Sequence, residues 1–153
     1  MKTETTEISA LITASEELVL AAVTNLNNGR IRETIASFAE EFTFKDHGIG
    51  LDFNDKVRLE EFFQKTREFY PDSFVQAEAI FASGDRVAVE WILRTTLTEP
   101  YFGGLSRTIP VLLRGVSVVR TDDGKITDWA DYYDGFTARR TRLASYFTEW
   151  VEL

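Results

Sequence analysis

Apolar residues follow a helical period in the first half of the chain and a strand period in the second. Val19, Ala22, Val23 and Leu26 recur at helical spacing and fall on one face. Thr13 with Glu16 matches a capping box at the start of that helix, and Gly29 stops it. Ile31, Ile35 and Phe38 predict a second, shorter helix that ends near Glu40 and Glu41. Phe42 to Asp46 alternates, which predicts a short strand with Phe42, Phe44 and Asp46 on one face. Gly48 and Gly50 make the next loop irregular. Asn54 or Asp55 can cap a third helix with a buried stripe of Leu59, Phe62, Phe63 and Phe69, ended by Pro71.

The second half is rich in strands. Phe74 to Ala82 is one, and Ser83-Gly84-Asp85 turns it into Val87 to Leu97, where Val87, Val89, Trp91 and Leu93 share a face. Arg107 to Arg120 is a long apolar strand in which Pro110 predicts an edge or a bulge. Asp122-Asp123-Gly124-Lys125 turns it into the last strand, and Phe136, Leu143, Phe147 and Trp150 mark a closing helix. Residues 1–12 read as a flexible arm and 13–153 as a single domain, without linker or repeat. Helices followed by an antiparallel meander predict an α+β class: a cone of N-terminal helices packed on a strongly curved antiparallel or mixed sheet. The long strand is apolar on both sides, with Ile109, Val111 and Leu113 on one and Leu112, Val116 and Val118 on the other. A sheet with one wet face should alternate. We therefore expect one side to line the cone and the other to meet a second copy in a homodimer, unless the closing helix covers it.

The length, 153 residues, suits one domain with a proper core. Phe 12, Tyr 5 and Trp 3 favour a core or pocket built from rings. A formal net charge of -8 argues against nonspecific nucleic-acid binding and against adsorption to anionic membranes. The absence of cysteine rules out a thiolate nucleophile, disulfides and cysteine-held metal, and a lone His47 rules out a histidine-rich metal site. No apolar run is long enough to span a bilayer, and the first residues lack the apolar centre of a signal peptide. A cytoplasmic protein is expected, with no cofactor and no metal.

The most informative stretch is Asp128-Trp129-Ala130-Asp131-Tyr132-Tyr133-Asp134. In an extended segment Trp129, Asp131 and Tyr133 share one face, and Asp128, Ala130, Tyr132 and Asp134 share the other. A carboxylate between two rings, on a face that can line a cavity, suits proton chemistry or ligand capture.

Four segments carry a family resemblance: Phe38 to Asp46, the Ser83-to-Trp91 hairpin, Pro110 to Val119, and Gly124 to Asp134. Together they make the chain resemble the cone-shaped α+β superfamily named after nuclear transport factor two, and within it the SnoaL-like proteins. That scaffold hosts isomerases, cyclases, hydrolases and binders, so the resemblance speaks for fold more than for function. Ketosteroid isomerases carry a catalytic aspartate at the end of the first strand, where Asp46 stands. Counted from Gly29 and Gly124, their oxyanion-hole positions are held here by Ala22 and Val116. Limonene epoxide hydrolases use an Asp-Arg-Asp set. Asp131 matches its last member, but Trp91 and Leu93 stand where the others belong. SnoaL-like polyketide cyclases use one aspartate of the last strand to remove a proton beside a carbonyl, and Asp131 or Asp134 matches it. The resemblance thus implies acid–base catalysis of the cyclase or isomerase type on a small hydrophobic carbonyl compound, with a non-catalytic binder of a similar ligand, or an epoxide-hydrolase-like enzyme lacking the usual Arg-Asp partners, as the alternatives.

Asp131 and Asp46 are the catalytic candidates, with Asp131 at the polar end of a cavity and Asp46 at its mouth. Phe44, Phe62, Trp91, Trp129 and Tyr133 are expected to line it. His47 is a further binding candidate, although regular extension points it away from Asp46. Arg114 lies inside an apolar strand and needs a partner, either one of the aspartates or a residue across an interface.

Overall fold

A computed structural model describes residues 12–100 and 102–140. Helix α1 spans Ala14–Asn27, with the Thr13 hydroxyl accepting from the Glu16 amide at 3.2 Å. Helix α2 is Ile31–Ala36. Strand β1, Phe38–Asp46, pairs with the short β2, Leu51–Phe53. Helix α3, Lys56–Phe69, is capped by Asp55, whose carboxylate accepts from the Arg58 amide at 2.9 Å. Strands β3 (Phe74–Ser83), β4 (Arg86–Pro100), β5 (Ser106–Asp122) and β6 (Lys125–Tyr133) follow, and a short α4 covers Gly135–Arg140. The sheet has six strands in the order β2-β1-β6-β5-β4-β3. Only β1 and β6 run parallel, so the sheet is mixed, as the α+β cone requires.

Two expectations about the helices need correction. Phe38 does not end a helix: α2 stops at Ala36 and β1 begins at Phe38, almost fully buried. Its ring packs on Phe42 and Trp129, and pairing with Ile126 draws the backbone into the sheet. A bulge between Phe38 and Thr43 absorbs the extra length. Phe69 is half exposed, and the neighbouring Tyr70 fills the core instead, because the chain leaves helical geometry at that residue. Pro110 sits where β5 outreaches β6, so one side of that stretch is an edge that tolerates a missing N–H. Residues 1–11 of the expected arm, and the helix expected around Leu143, Phe147 and Trp150, lie outside the described residues. Among those described, no helix is long and apolar enough to cross a membrane.

Alternation sorts the sheet into two faces. Val87, Val89, Trp91 and Leu113 point inward beneath α1 and α3. Leu112, Arg114, Val116 and Val118 of β5 point outward, beside the exposed rings of Phe74, Phe81 and Tyr132.

Candidate functional site

A cavity of about 200 Å³ lies between the inner face of the sheet and α1 and α3. Rings form most of its wall: Phe44, Phe62, Trp91, Trp129 and Tyr133 all line it, with Phe38, Phe63 and Tyr70. The indole of Trp129 stacks on Phe44, its cross-strand neighbour, at 6.3 Å between centroids.

Two carboxyls share one end of this cavity. Asp46 and Asp131 are register partners on the parallel strands β1 and β6. Neighbouring strands lie only about 4.8 Å apart. Asp46 thus stands beside Asp131: it is 8% exposed and receives bonds from the Tyr133 hydroxyl and from the Ile49 amide at 3.1 Å. The Oδ1 of Asp131 accepts from Ser117 at 2.5 Å and from the Trp129 indole N–H at 2.7 Å. Trp91 donates in turn to the Ser117 hydroxyl at 2.8 Å. Among the described residues no bond ends on Oδ2 of Asp131, and no fully buried polar side-chain atom lacks a partner. Oδ2 is thus the oxygen that faces open cavity space.

Burial sets the protonation of these groups. Enclosure by protein pushes the Asp131 carboxyl up to about 7, with the nearby Asp46 charge adding to the rise against the opposing Ser117 and Trp129 hydrogen bonds. Asp46 is also raised, chiefly by burial and less strongly, because Tyr133 and two backbone amides stabilise its charge. Burial and the two carboxylates keep the Tyr133 phenol protonated far above its ordinary range.

Two glycines make room for this arrangement. A Cβ on Gly48 would lie 2.1 Å from Cζ of Tyr133, and one on Gly115 would lie 2.5 Å from the Trp91 ring. Both rings can enter the cavity wall only because nothing projects from these positions.

Two predicted contacts are not made. His47 is exposed on the outer face, where its ring stacks on Tyr132 at 4.6 Å. Its amide continues the strand pairing by donating to the Asp131 carbonyl at 3.0 Å, which holds the side chain pointing away from the cavity. Arg114 also faces outward and pairs with Glu78 at 3.2 Å. It follows an odd–even register in which Leu113 and Ser117 take the inner face. Val116 is likewise on the outer face, so the polar residue that β5 offers the site is Ser117. A single serine within the apolar inward set of Val111, Leu113 and Val119 was the available signal, and sequence reasoning missed it. It also missed Arg67, the one cationic side chain among the described residues that line the cavity. No cluster of three potential metal-ligating side chains occurs among the described residues.

The SnoaL-like domain family matches residues 19–129, most of the chain and nearly all of the sheet. The chain belongs to that family. No curated protein matches its sequence. Solved structures share the fold at low identity. A Jannaschia sp. CCS1 protein named for the SnoaL-like polyketide cyclases aligns with TM-score 0.71 at 19% identity, over 88% of this chain and 94% of that one. An epoxide hydrolase of the limonene type from M. tuberculosis aligns with TM-score 0.69 at 20% identity, over 86% of each chain. A Catenulispora acidiphila protein with a ketosteroid-isomerase-like fold, bound to trimethylamine, aligns with TM-score 0.68 at 20% identity, over 77% and 85%. At such identities these likenesses establish the SnoaL-like cone and leave the chemistry to the site itself.

Proposed function

We propose that this SnoaL-like protein is a cofactor-free acid–base enzyme of the cyclase or isomerase type, acting on a small hydrophobic carbonyl compound. The observation that carries the reading is the unpartnered Oδ2 of Asp131, facing an apolar cavity on a carboxyl that titrates near 7. A base poised near neutral pH both takes and returns a proton efficiently. Oδ2 removes a proton beside the substrate carbonyl, and the electron pair moves into the enolate. The Tyr133 hydroxyl, held protonated, gives its one proton to Asp46 in the free protein and would turn from Asp46 to hydrogen-bond the enolate oxygen. Asp131 then returns the proton to a different carbon, which is an isomerisation. Alternatively the enolate carbon attacks a second carbonyl of the same substrate, and the proton goes to the new alkoxide, which is a cyclisation. Ser117, Trp91 and Trp129 orient the base without blocking its free oxygen.

An epoxide-hydrolase-like reaction is a weaker reading, since the acid end of the cavity offers no arginine beside Asp131. The decisive experiment is proton exchange in deuterium oxide, read by NMR for a panel of small apolar ketones. The wild type should speed exchange at the carbon beside the carbonyl, and Asp131→Asn should abolish it while folding normally. Ligands that bind without exchange would instead make this a non-catalytic carrier.

The same proposal includes a homodimer through the outer face, supported by the half-exposed Phe74, Phe81, Leu112 and Tyr132. A monomer at micromolar concentration by light scattering would remove it. It also includes a cytoplasmic location, in keeping with the lack of cysteine.

A further inference from the structure

The cavity is chemically polarised, and its second pole has no part in the acid–base step. Arg67, in the last turn of α3, lines it. One of its nitrogens donates to the carbonyl of Asn27 at 3.1 Å. No carboxylate pairs with it among the described residues. Asn27 is itself fixed: its side chain exchanges two 2.8 Å bonds with the backbone of Val75 and so extends the edge of the sheet. Val75 pairs with Leu93, and Leu93 with Leu113. Asp131 pairs with Ser117, four residues further along β5. At about 3.3 Å per residue the two poles are separated by roughly 13 Å along the strands. The carboxyls stand at one end and a half-buried guanidinium at the other, with aromatic wall between them.

We propose that Arg67 anchors a carboxylate of the substrate, which is then an amphiphilic oxo acid: a monocarboxylate whose reactive carbonyl lies across an apolar body from its acid group. This rests on the acid–base reading for the carbonyl end only. A guanidinium with one nitrogen tied to a backbone carbonyl keeps other N–H groups of its planar fork for a carboxylate. One cation, in a chain of net charge -8, suits a monoanion better than a phosphate dianion. The neighbouring wall supplies the Ser73 hydroxyl and no acid that would repel the ligand, the Thr66 hydroxyl being engaged with the Phe62 carbonyl at 2.8 Å. The acidic groups of the cavity, Asp46 and Asp131, are held at the far end.

Fluorescence of the cavity tryptophans, Trp91 and Trp129, reads the test. Decanoate is titrated against methyl decanoate, its neutral match, at pH 8. The wild type should bind decanoate at least about tenfold more tightly. Arg67→Met should erase that preference while leaving methyl decanoate within about threefold, and Arg67→Lys should retain part of it. Equal affinity of the wild type for both probes overturns the proposal. So does an equal loss for both in Arg67→Met, since Arg67 would then only cap the carbonyl end of α1. If Arg67→Met does not fold, Arg67→Gln and the wild-type comparison decide alone. The same titration on Asp131→Asn separates the two readings: the carboxylate preference should survive there, whatever becomes of proton exchange.

Discussion

The two faces of the sheet both carry carboxyl groups and treat them in opposite ways. Outside, charges meet near water. Arg114 pairs with Glu78 at 3.2 Å, with both side chains well exposed, and Arg120 pairs with Asp85 at 3.5 Å. Exposed pairs of this kind contribute at most about 1 kcal/mol, since solvent screens them and ordering two long side chains opposes them. Inside, Asp131 and Asp46 have no cation beside them and are held by hydroxyls, an indole and backbone amides. Burial there makes the neutral form of Asp131 competitive at pH 7. A few ångströms of sheet thickness thus separate inert surface charge from a carboxyl with usable proton affinity.

The widest test of this contrast is catalytic. Asp131→Asn should lower turnover of any substrate by a factor on the order of a thousand, the scale of general acid–base catalysis. Thermal stability should be unchanged or improved, because a buried group that resists ionisation has become permanently neutral. Full activity with a clear loss of stability would instead make Asp131 a structural residue.

A second effect concerns pH. The folded state holds the Asp131 proton up to about 7, whereas the unfolded chain releases it near 3.8. Between these values the folded form binds more protons, so its stability should fall as pH rises from about 4 to 7 and level off above. A shift of that size corresponds to at most about 4 kcal/mol. Urea unfolding of wild type and Asp131→Asn across this range reads it: the slope should be clearly shallower in the variant. Activity should rise with a midpoint near pH 7 as the base form appears.

Gly48→Ala should cost about 2 kcal/mol by displacing the Tyr133 ring, and should lower activity with it. A crystal structure or near-ultraviolet dichroism would report the displaced ring. Ser117→Ala removes a donor that stabilises the charged form of Asp131. The activity midpoint should therefore move upward by about one unit, given the usual strength of a bond to a charged group. At the far end of the scale, Arg114→Ala on the outer face should change stability by less than about 0.5 kcal/mol and leave turnover alone.

Much of this molecule is legible in its pattern of apolar positions. The period of two through Val87, Val89, Trp91 and Leu93 placed those residues on the inner face, and alternation in the last strand placed Trp129, Asp131 and Tyr133 together facing the cavity. These are local properties: a strand's side chains alternate whatever its partner, so parity along one segment suffices. The capping residues Thr13 and Asp55 are local in the same sense.

What joins segments distant in the chain was decided only by the tertiary structure. Parallel pairing of β1 with β6 sets Asp46 beside Asp131, because register between strands depends on the whole sheet. The same register turns His47 outward, while pairing of β5 with β6 brings Ser117, not Val116, to the base and leaves Arg114 on the outer face. Gly48 and Gly115 look like ordinary loop and strand glycines until the rings that need their space are seen. Arg67 reads as one more charge on a polar helix, and only the crossing of α1 and α3 over the sheet carries it to the second pole of the cavity. The distinction is physical: periodicity records which face of an element meets the interior, whereas chemistry depends on which interior faces meet one another.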